Sequence, residues 1–389
     1  MAPTGWRPFG LLTLLVLAGC SRATETDGPG IVFTAVANGL DQTCGLDADG
    51  TAYCWSERNP VVRPLPGSVR FTAISIWSGH GCGIAPDGAA YCWGIGTQGQ
   101  LGTTETSGRC GNDAPYCSLA PVPVSGNLRF TQISVGLAHS CGVTTERKLY
   151  CWGWNEFGQL GTEEELECAT DPQVDCSSRP VRVASDVEFT SVAAGLVYTC
   201  AIAVSRDAFC WGSGSSGKLG NGSLEDRALP VIVAGDLEFK TLSARGAHTC
   251  GVTVSSEVYC WGSNADLQLG STVAEETCGV GLLKCVSTPH RVPTELRFED
   301  ITVGGPVPLG DGPLIGGHTC GRTAAGEVYC WGGNEQGQVL GSQNLRESTP
   351  VALPIRLRFR SISAGFANTC GLTDGGEAIC WSYGTPIAR

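Results

Sequence analysis

The sequence predicts an all-β, disulfide-rich, seven-bladed β-propeller of four-stranded antiparallel blades, and three observations predict it. The dipeptide Cys-Trp occurs seven times, starting at Cys54, Cys92, Cys151, Cys210, Cys260, Cys330 and Cys380. A second cysteine stands ten residues before each one, at Cys44, Cys82, Cys141, Cys200, Cys250, Cys320 and Cys370. Further upstream every copy has a phenylalanine: Phe33, Phe71, Phe130, Phe189, Phe239, Phe298 and Phe359. Self-similarity of this kind marks a repeat architecture, in which each unit buries its apolar face only by stacking on a neighbour.

The first element, strand A, is the run after each phenylalanine, as in Phe130-Thr-Gln-Ile-Ser-Val135. Strands B and C flank a turn such as Asp47-Ala48-Asp49-Gly50, the chemistry of a β-hairpin. If Cys44 faces Cys54, then Gly45 faces Tyr53 and Leu46 faces Ala52, at a separation that suits a disulfide. The same register places Gly opposite an aromatic at 83/91, 142/150, 251/259 and 321/329, where a ring can cover the bare glycine. It also sets bulk against its absence: His80/Gly94, His139/Gly153, Tyr198/Gly212, His248/Gly262 and His318/Gly332. Strand D follows a proline, as in Pro180-Val-Arg-Val183 and Pro230-Val-Ile-Val233. Four short strands repeated seven times make the propeller.

The phenylalanine spacings are 38, 59, 59, 50, 59 and 61. The 59-residue copies are those with an extra cysteine pair, Cys110/Cys117, Cys168/Cys176 and Cys278/Cys285, and the last spacing is 61 because the sixth copy has an insertion before Cys320. The expected disulfides are therefore seven hairpin pairs (Cys44–Cys54, Cys82–Cys92, Cys141–Cys151, Cys200–Cys210, Cys250–Cys260, Cys320–Cys330, Cys370–Cys380) and these three loop pairs. Of the 21 cysteines only Cys20 is left over, which points to an oxidising compartment. The final Pro386-Ile-Ala-Arg389 reads as a D strand that either completes blade seven or pairs beside residues 31–37.

The chain has 389 residues, a net charge of −12, 16% charged and 42% apolar residues. That composition excludes disorder, and the acidic balance argues against a nucleic-acid partner. Residues 1–19 carry one charged side chain, Arg7, and a short apolar run from Leu11 to Ala18, the pattern of a signal peptide. The run ends Leu17-Ala18-Gly19-Cys20, which resembles the lipobox of bacterial lipoproteins. That resemblance implies cleavage before Cys20, lipidation of its thiol and anchoring to a bacterial membrane, with Ser21 implying the outer membrane or cell surface. Residues 20–30 then form a polar tether and 31–389 the propeller.

Copies such as Gly136-Leu-Ala-His-Ser-Cys-Gly-Val143 with Leu149-Tyr-Cys-Trp-Gly-Trp-Asn-Glu-Phe-Gly-Gln-Leu-Gly161 resemble the regulator-of-chromosome-condensation repeat, across nearly all of 31–389. The resemblance implies a disc whose face or rim docks other proteins, and fold alone does not set function. Nucleotide exchange on a GTPase is not expected of a lipidated, disulfide-bonded chain outside the cytoplasm.

Other motifs have plainer readings. Gly212-Ser-Gly-Ser-Ser-Gly-Lys218 is one residue short of a P-loop, and Leu219 replaces the magnesium-binding hydroxyl. His80, His139, His248 and His318 could suggest a metal ring, but each packs over the glycine opposite. No metal, cofactor or catalytic residue is expected.

Strand parity places the A–B and C–D connections on one face of the disc. All three cysteine insertions, about 103–120, 162–179 and 271–288, are C–D loops, and Gly304–Gly317 is an A–B loop. Every elaboration thus shares a face, which should also display Trp77, Tyr116, Trp154, Phe157, Leu314 and Ile315 as candidate binding residues. The reading is a monomeric, non-enzymatic scaffold that docks an unknown protein partner. An envelope glycan-active enzyme and an inhibitor of a secreted enzyme are the alternatives.

Overall fold

The computed structural model describes residues 30–388 except 41, 57–58, 78, 106–107, 111–113, 167, 170, 172, 273–275, 279–282, 306–315 and 383–384. Cys20 and the segments before residue 30 lie outside the described residues. The strands form seven antiparallel sheets, each from one contiguous stretch of chain in the order A-B-C-D. In blade 3 these are Phe130–Val135, His139–Thr144, Leu149–Trp154 and Cys176–Arg182. Strand A of each blade lies against strand A of the next around the axis. The seven blades are the predicted propeller.

Strand A explains its own motif. Its phenylalanine is followed by a β-bulge, seen where Phe130 pairs with Thr144 and Gln132 with Val143. The residue in the bulge is threonine in blades 1 to 4, and the Thr131 hydroxyl donates to the Val143 carbonyl at 3.2 Å. The extra residue turns the phenylalanine back over the sheet. The serine further along serves the next blade: the Val135 amide donates to Ser75 Oγ at 3.0 Å, Ala194 to Ser134 at 2.9 Å, and Val303 to Ser243 at 3.0 Å. A hydroxyl in five of the seven blades thus satisfies an amide that strand pairing leaves free.

The hairpin register is as predicted. All seven Cys pairs stand directly opposite one another. His80/Gly94, His139/Gly153, Tyr198/Gly212, His248/Gly262 and His318/Gly332 are partners too. One detail differs. The ring over each bare glycine is the strand A phenylalanine, because the bulge aims it there. A Cβ on Gly142 would stand 2.5 Å from Phe130 Cδ1, and one on Gly321 2.5 Å from Phe298 Cδ1. The tyrosine opposite meets that phenylalanine edge-on instead, as Tyr329 does with Phe298 at 6.2 Å.

All seven hairpin disulfides are formed, as are Cys168–Cys176 and Cys278–Cys285. The Cys110–Cys117 pair involves a side chain outside the described residues. Two insertions do more than loop: Gly108–Cys110 and Glu276–Cys278 add a fifth, outermost strand to blades 2 and 5. Each pairs with a lengthened strand D, Ala114–Pro123 or Leu283–Arg291.

Ring closure, left open by the sequence, uses no strand exchange. Thr385–Ala388 pairs with Ala378–Ser382 and completes blade 7. The seam to blade 1 is side-chain packing and hydrogen bonds: Phe33 and Trp55 cluster with Cys370, Leu372 and Cys380. Asn38 Nδ2 donates to Asn368 Oδ1 at 2.8 Å, and the Asn38 amide to Ser363 Oγ at 2.9 Å.

The apolar core is distributed over the blade interfaces, each cluster joining one hairpin disulfide to the next blade's Phe and Trp. A wedge finishes five of these interfaces. The turn after strand C in blades 2 to 6 inserts an apolar residue, Leu101, Leu160, Leu219, Leu269 or Val339, and all five are buried. The carbonyl just before it accepts the indole N–H of the next blade: Trp152 to Gln100, Trp211 to Gln159, Trp261 to Lys218 and Trp331 to Gln268 at 3.0 Å each, and Trp381 to Gln338 at 3.3 Å. In four of them a Ser or Thr hydroxyl of the next blade shares that carbonyl, for example Thr199 to Gln159 at 2.9 Å. The P-loop-like stretch is such a wedge, and Lys218 is buried within it.

Candidate binding face

The A–B and C–D connections lie on one face, and near the axis two side chains that break the repeat meet. The sixth position after the strand A phenylalanine is glycine in five blades, Gly39, Gly136, Gly195, Gly304 and Gly365. Glycine is required there because backbones nearly touch: a Cβ on Gly365 would meet the Gly39 carbonyl at 2.4 Å, and one on Gly39 the Trp77 carbonyl at 2.4 Å. The exceptions are Trp77 in blade 2 and Arg245 in blade 5, and they meet. The Arg245 guanidinium lies 4.1 Å from the centre of a Trp77 ring. It also donates to the Asn38 carbonyl at 2.8 Å, the Ile76 carbonyl at 3.2 Å and the Ala364 carbonyl. One cation from blade 5 therefore ties together blades 7, 1 and 2. Burial pulls its pKa down to about 9, so it stays charged at neutral pH.

This corrects one expectation. Trp77 is 4% exposed, held under Arg245, and is not displayed on the face. Its sequence signal was the broken glycine column, which Arg245 also breaks and which sequence reasoning did not follow. Trp154 and Phe157 are half-buried and stack edge-to-face, with centroids 5.5 Å apart. Tyr116 is half-buried, and its carbonyl accepts the Gly96 amide at 2.8 Å. Leu314 and Ile315 lie outside the described residues. Trp154 and Phe157 are the pair the structure brings together.

Phe157 lines a cleft of about 820 Å³ between the blade 3 insertion and blade 4. The lining has six carboxylates, Glu156, Glu163, Glu164, Glu165, Asp175 and Asp226, and no lysine or arginine. Burial, with the nearby Glu156 charge, raises the Asp175 pKa, while a hydrogen bond from Asn155 at 3.2 Å opposes the shift. Asp226 accepts the Gly214 amide at 2.8 Å. The arrangement is an acidic surface that attracts cationic groups.

The histidines hold neighbouring blades together. Nε2 of His80, His139, His248 and His318 stands 2.9–3.1 Å from the hydroxyl of Ser140, Thr199, Thr319 and Thr369, respectively. The Tyr198 hydroxyl takes the same role towards Thr249 at 3.0 Å. Burial lowers the pKa of the first three histidines to about 3 and of His318 to about 4, so all four are neutral.

The family description "Regulator of chromosome condensation (RCC1) repeat" matches residues 87–143, 148–202 and 207–252, and a second description of the same repeat matches 130–159 and 316–338. The ultraviolet-B receptor UVR8 of Arabidopsis thaliana is 38% identical over 101 residues, 26% of this chain and 21% of that protein. The probable E3 ubiquitin-protein ligase HERC4 of Rattus norvegicus is 30% identical over 101 residues, 26% of this chain and 9% of that protein. These matches span about a fifth or less of the relatives' own length. Among solved structures, human WBSCR16 superposes with a TM-score of 0.70 at 18% identity, covering 89% of this chain and 88% of that one. Prp20p of Saccharomyces cerevisiae, described with its binding to Gsp1p and histones, gives 0.68 at 16% identity, covering 85% and 80%. By its repeats and its ring of seven antiparallel sheets, this chain is a seven-bladed β-propeller of regulator of chromosome condensation (RCC1) repeats.

Proposed function

We propose that the propeller is a non-enzymatic scaffold, anchored outside the cytoplasm through a lipid on Cys20, that docks a protein partner on the face with the stapled loops. One observation carries the reading: the insertions of blades 2, 3 and 5, with both fifth strands and the blade 3 cleft, all belong to C–D connections, which strand parity sets on one side of the disc. A rigid disc with loops elaborated on one side alone is the arrangement of a binding surface. A disulfide reduces the ordering cost of such a loop. Relatives of this fold point the same way, Prp20p with Gsp1p and histones among them. The acidic cleft favours a partner with a cationic segment.

Crosslinking pull-downs from envelope extract test the docking, using mature protein with and without residues 103–120, 162–179 and 271–288. Capture that is lost with the insertions supports the reading. Capture that persists without them overturns the choice of face. Metabolic labelling with palmitate tests the anchor, and label on the Cys20→Ala variant refutes it.

A further inference from the structure

Wedge turns close five blade interfaces and are missing from two. In blade 1 the chain runs from Trp55 to strand D at Arg63, and in blade 7 from Ser382 to Thr385, without the Gly-flanked turn. Where the blade 1 wedge would enter, between blades 1 and 2, there is a cleft of about 660 Å³.

We propose that this cleft is a docking site for a partner protein's loop that supplies the missing wedge: a tight turn with a buried leucine preceded by an exposed backbone carbonyl. Three observations dictate that occupant. Trp93 forms part of the lining and is 4% exposed, yet its indole N–H has no hydrogen-bond partner among the described residues, whereas the tryptophans of blades 3 to 7 each donate to a wedge carbonyl. Its N–H is not sealed from solvent, unlike the partnerless Nδ1 of His80, so it is open to an acceptor that an occupant brings. The rim is apolar and open: Val61, Ile95 and Leu119 are 54%, 39% and 67% exposed, three large hydrophobic side chains around one opening. Finally, the hydroxyl that shares the wedge carbonyl in blades 3 to 6 is replaced by Gly81 in blade 2, so the indole alone awaits an acceptor. A second copy of this chain is not the occupant, since its own wedges are closed between its blades. The inference rests on the protein-docking reading for the nature of the occupant, but its site lies apart from the blade 3 and blade 5 insertions.

The test uses the mature propeller labelled with 15N-tryptophan and, as probe, a cyclised peptide of residues 155–162 (Asn-Glu-Phe-Gly-Gln-Leu-Gly-Thr). The Trp93 indole resonance, assigned with Trp93→Phe, should shift saturably, and a peptide with alanine for its leucine should bind at least tenfold more weakly. Ile95→Asp and Leu119→Asp, at exposed rim positions, should weaken binding at least tenfold with the thermal midpoint unchanged. A Trp93 resonance that stays put at millimolar peptide overturns the proposal, as does equal affinity for the alanine peptide. Deleting residues 162–179 and 271–288 should leave peptide binding intact. Loss of partner capture on that deletion therefore bears on the loop face, and loss of the Trp93 shift on this cleft.

Discussion

Acidification from pH 7 to pH 5 should destabilise this propeller through its four interblade histidines. In the folded chain their pKa values are about 3 for His80, His139 and His248 and about 4 for His318, because burial removes water from the charged form. The His80–His139 and His248–His318 couplings push the same way, as does Arg245 on His318. In the unfolded chain each titrates near the ordinary value of about 6.5. As pH falls below that value the unfolded state takes up protons that the folded state refuses, so stability is present above pH 6.5 and is lost towards pH 4. At pH 5 the loss is about 2 kcal/mol per histidine and about 8 kcal/mol for the four. Any folded pKa below about 4.5 gives nearly the same figure, so it does not depend on the exact shift. The carboxyls of Asp175, Asp266 and Asp300 are shifted upward, chiefly by desolvation, and offset part of the loss. Equilibrium urea unfolding with disulfides intact, repeated between pH 7 and pH 5, measures the change. His139→Asn, which copies what blade 7 has at Asn368, should reduce the slope by about 1.4 kcal/mol per pH unit at the acid end. A total change below about 2 kcal/mol, or a slope untouched by His139→Asn, would refute the account of these histidines as neutral hydrogen-bonded ties.

Three further outcomes are expected. Arg245→Ala leaves carbonyls of blades 1, 2 and 7 without their donor and should cost about 2 kcal/mol in urea unfolding; an unchanged midpoint removes the axial tie. Leu160→Ala empties a wedge between blades 3 and 4 and should cost about 3 kcal/mol, whereas a loss under about 1 kcal/mol means the wedge is not a packed element. Peptide mapping without reduction should recover ten intrachain disulfides in the predicted pairs, Cys110–Cys117 included, and free hairpin cysteines contradict the register.

The hairpins were legible because the cysteine spacing sets the register directly, and His139 opposite Gly153 or Tyr198 opposite Gly212 could be checked copy against copy. The shared face of the insertions followed from strand parity alone. Trp77 was misplaced because its partner Arg245 is 168 residues away and joins it only across the axis. The wedges were visible as a repeated Gly-Gln-Leu-Gly, but their carbonyl-to-indole bonds link one blade's turn to the next blade's strand. That pairing has no counterpart in a single copy. The cleft at Trp93 is harder still, since it is defined by a turn that blade 1 lacks.

The position of the cross-links has a mechanical consequence. Every described disulfide joins cysteines seven to ten residues apart inside one blade, and none crosses from one blade to another. Each blade can therefore oxidise as soon as its own stretch of chain is available, with no search for distant thiols. Among the described residues the annulus itself has no covalent lock. The described cross-links leave it able to part at the junction of blades 7 and 1 and reseal without exchanging a single sulfur, and the aromatic cluster, the axial arginine and seam hydrogen bonds such as Asn38–Asn368, Asn38–Ser363 and Phe33–Gly376 oppose that opening.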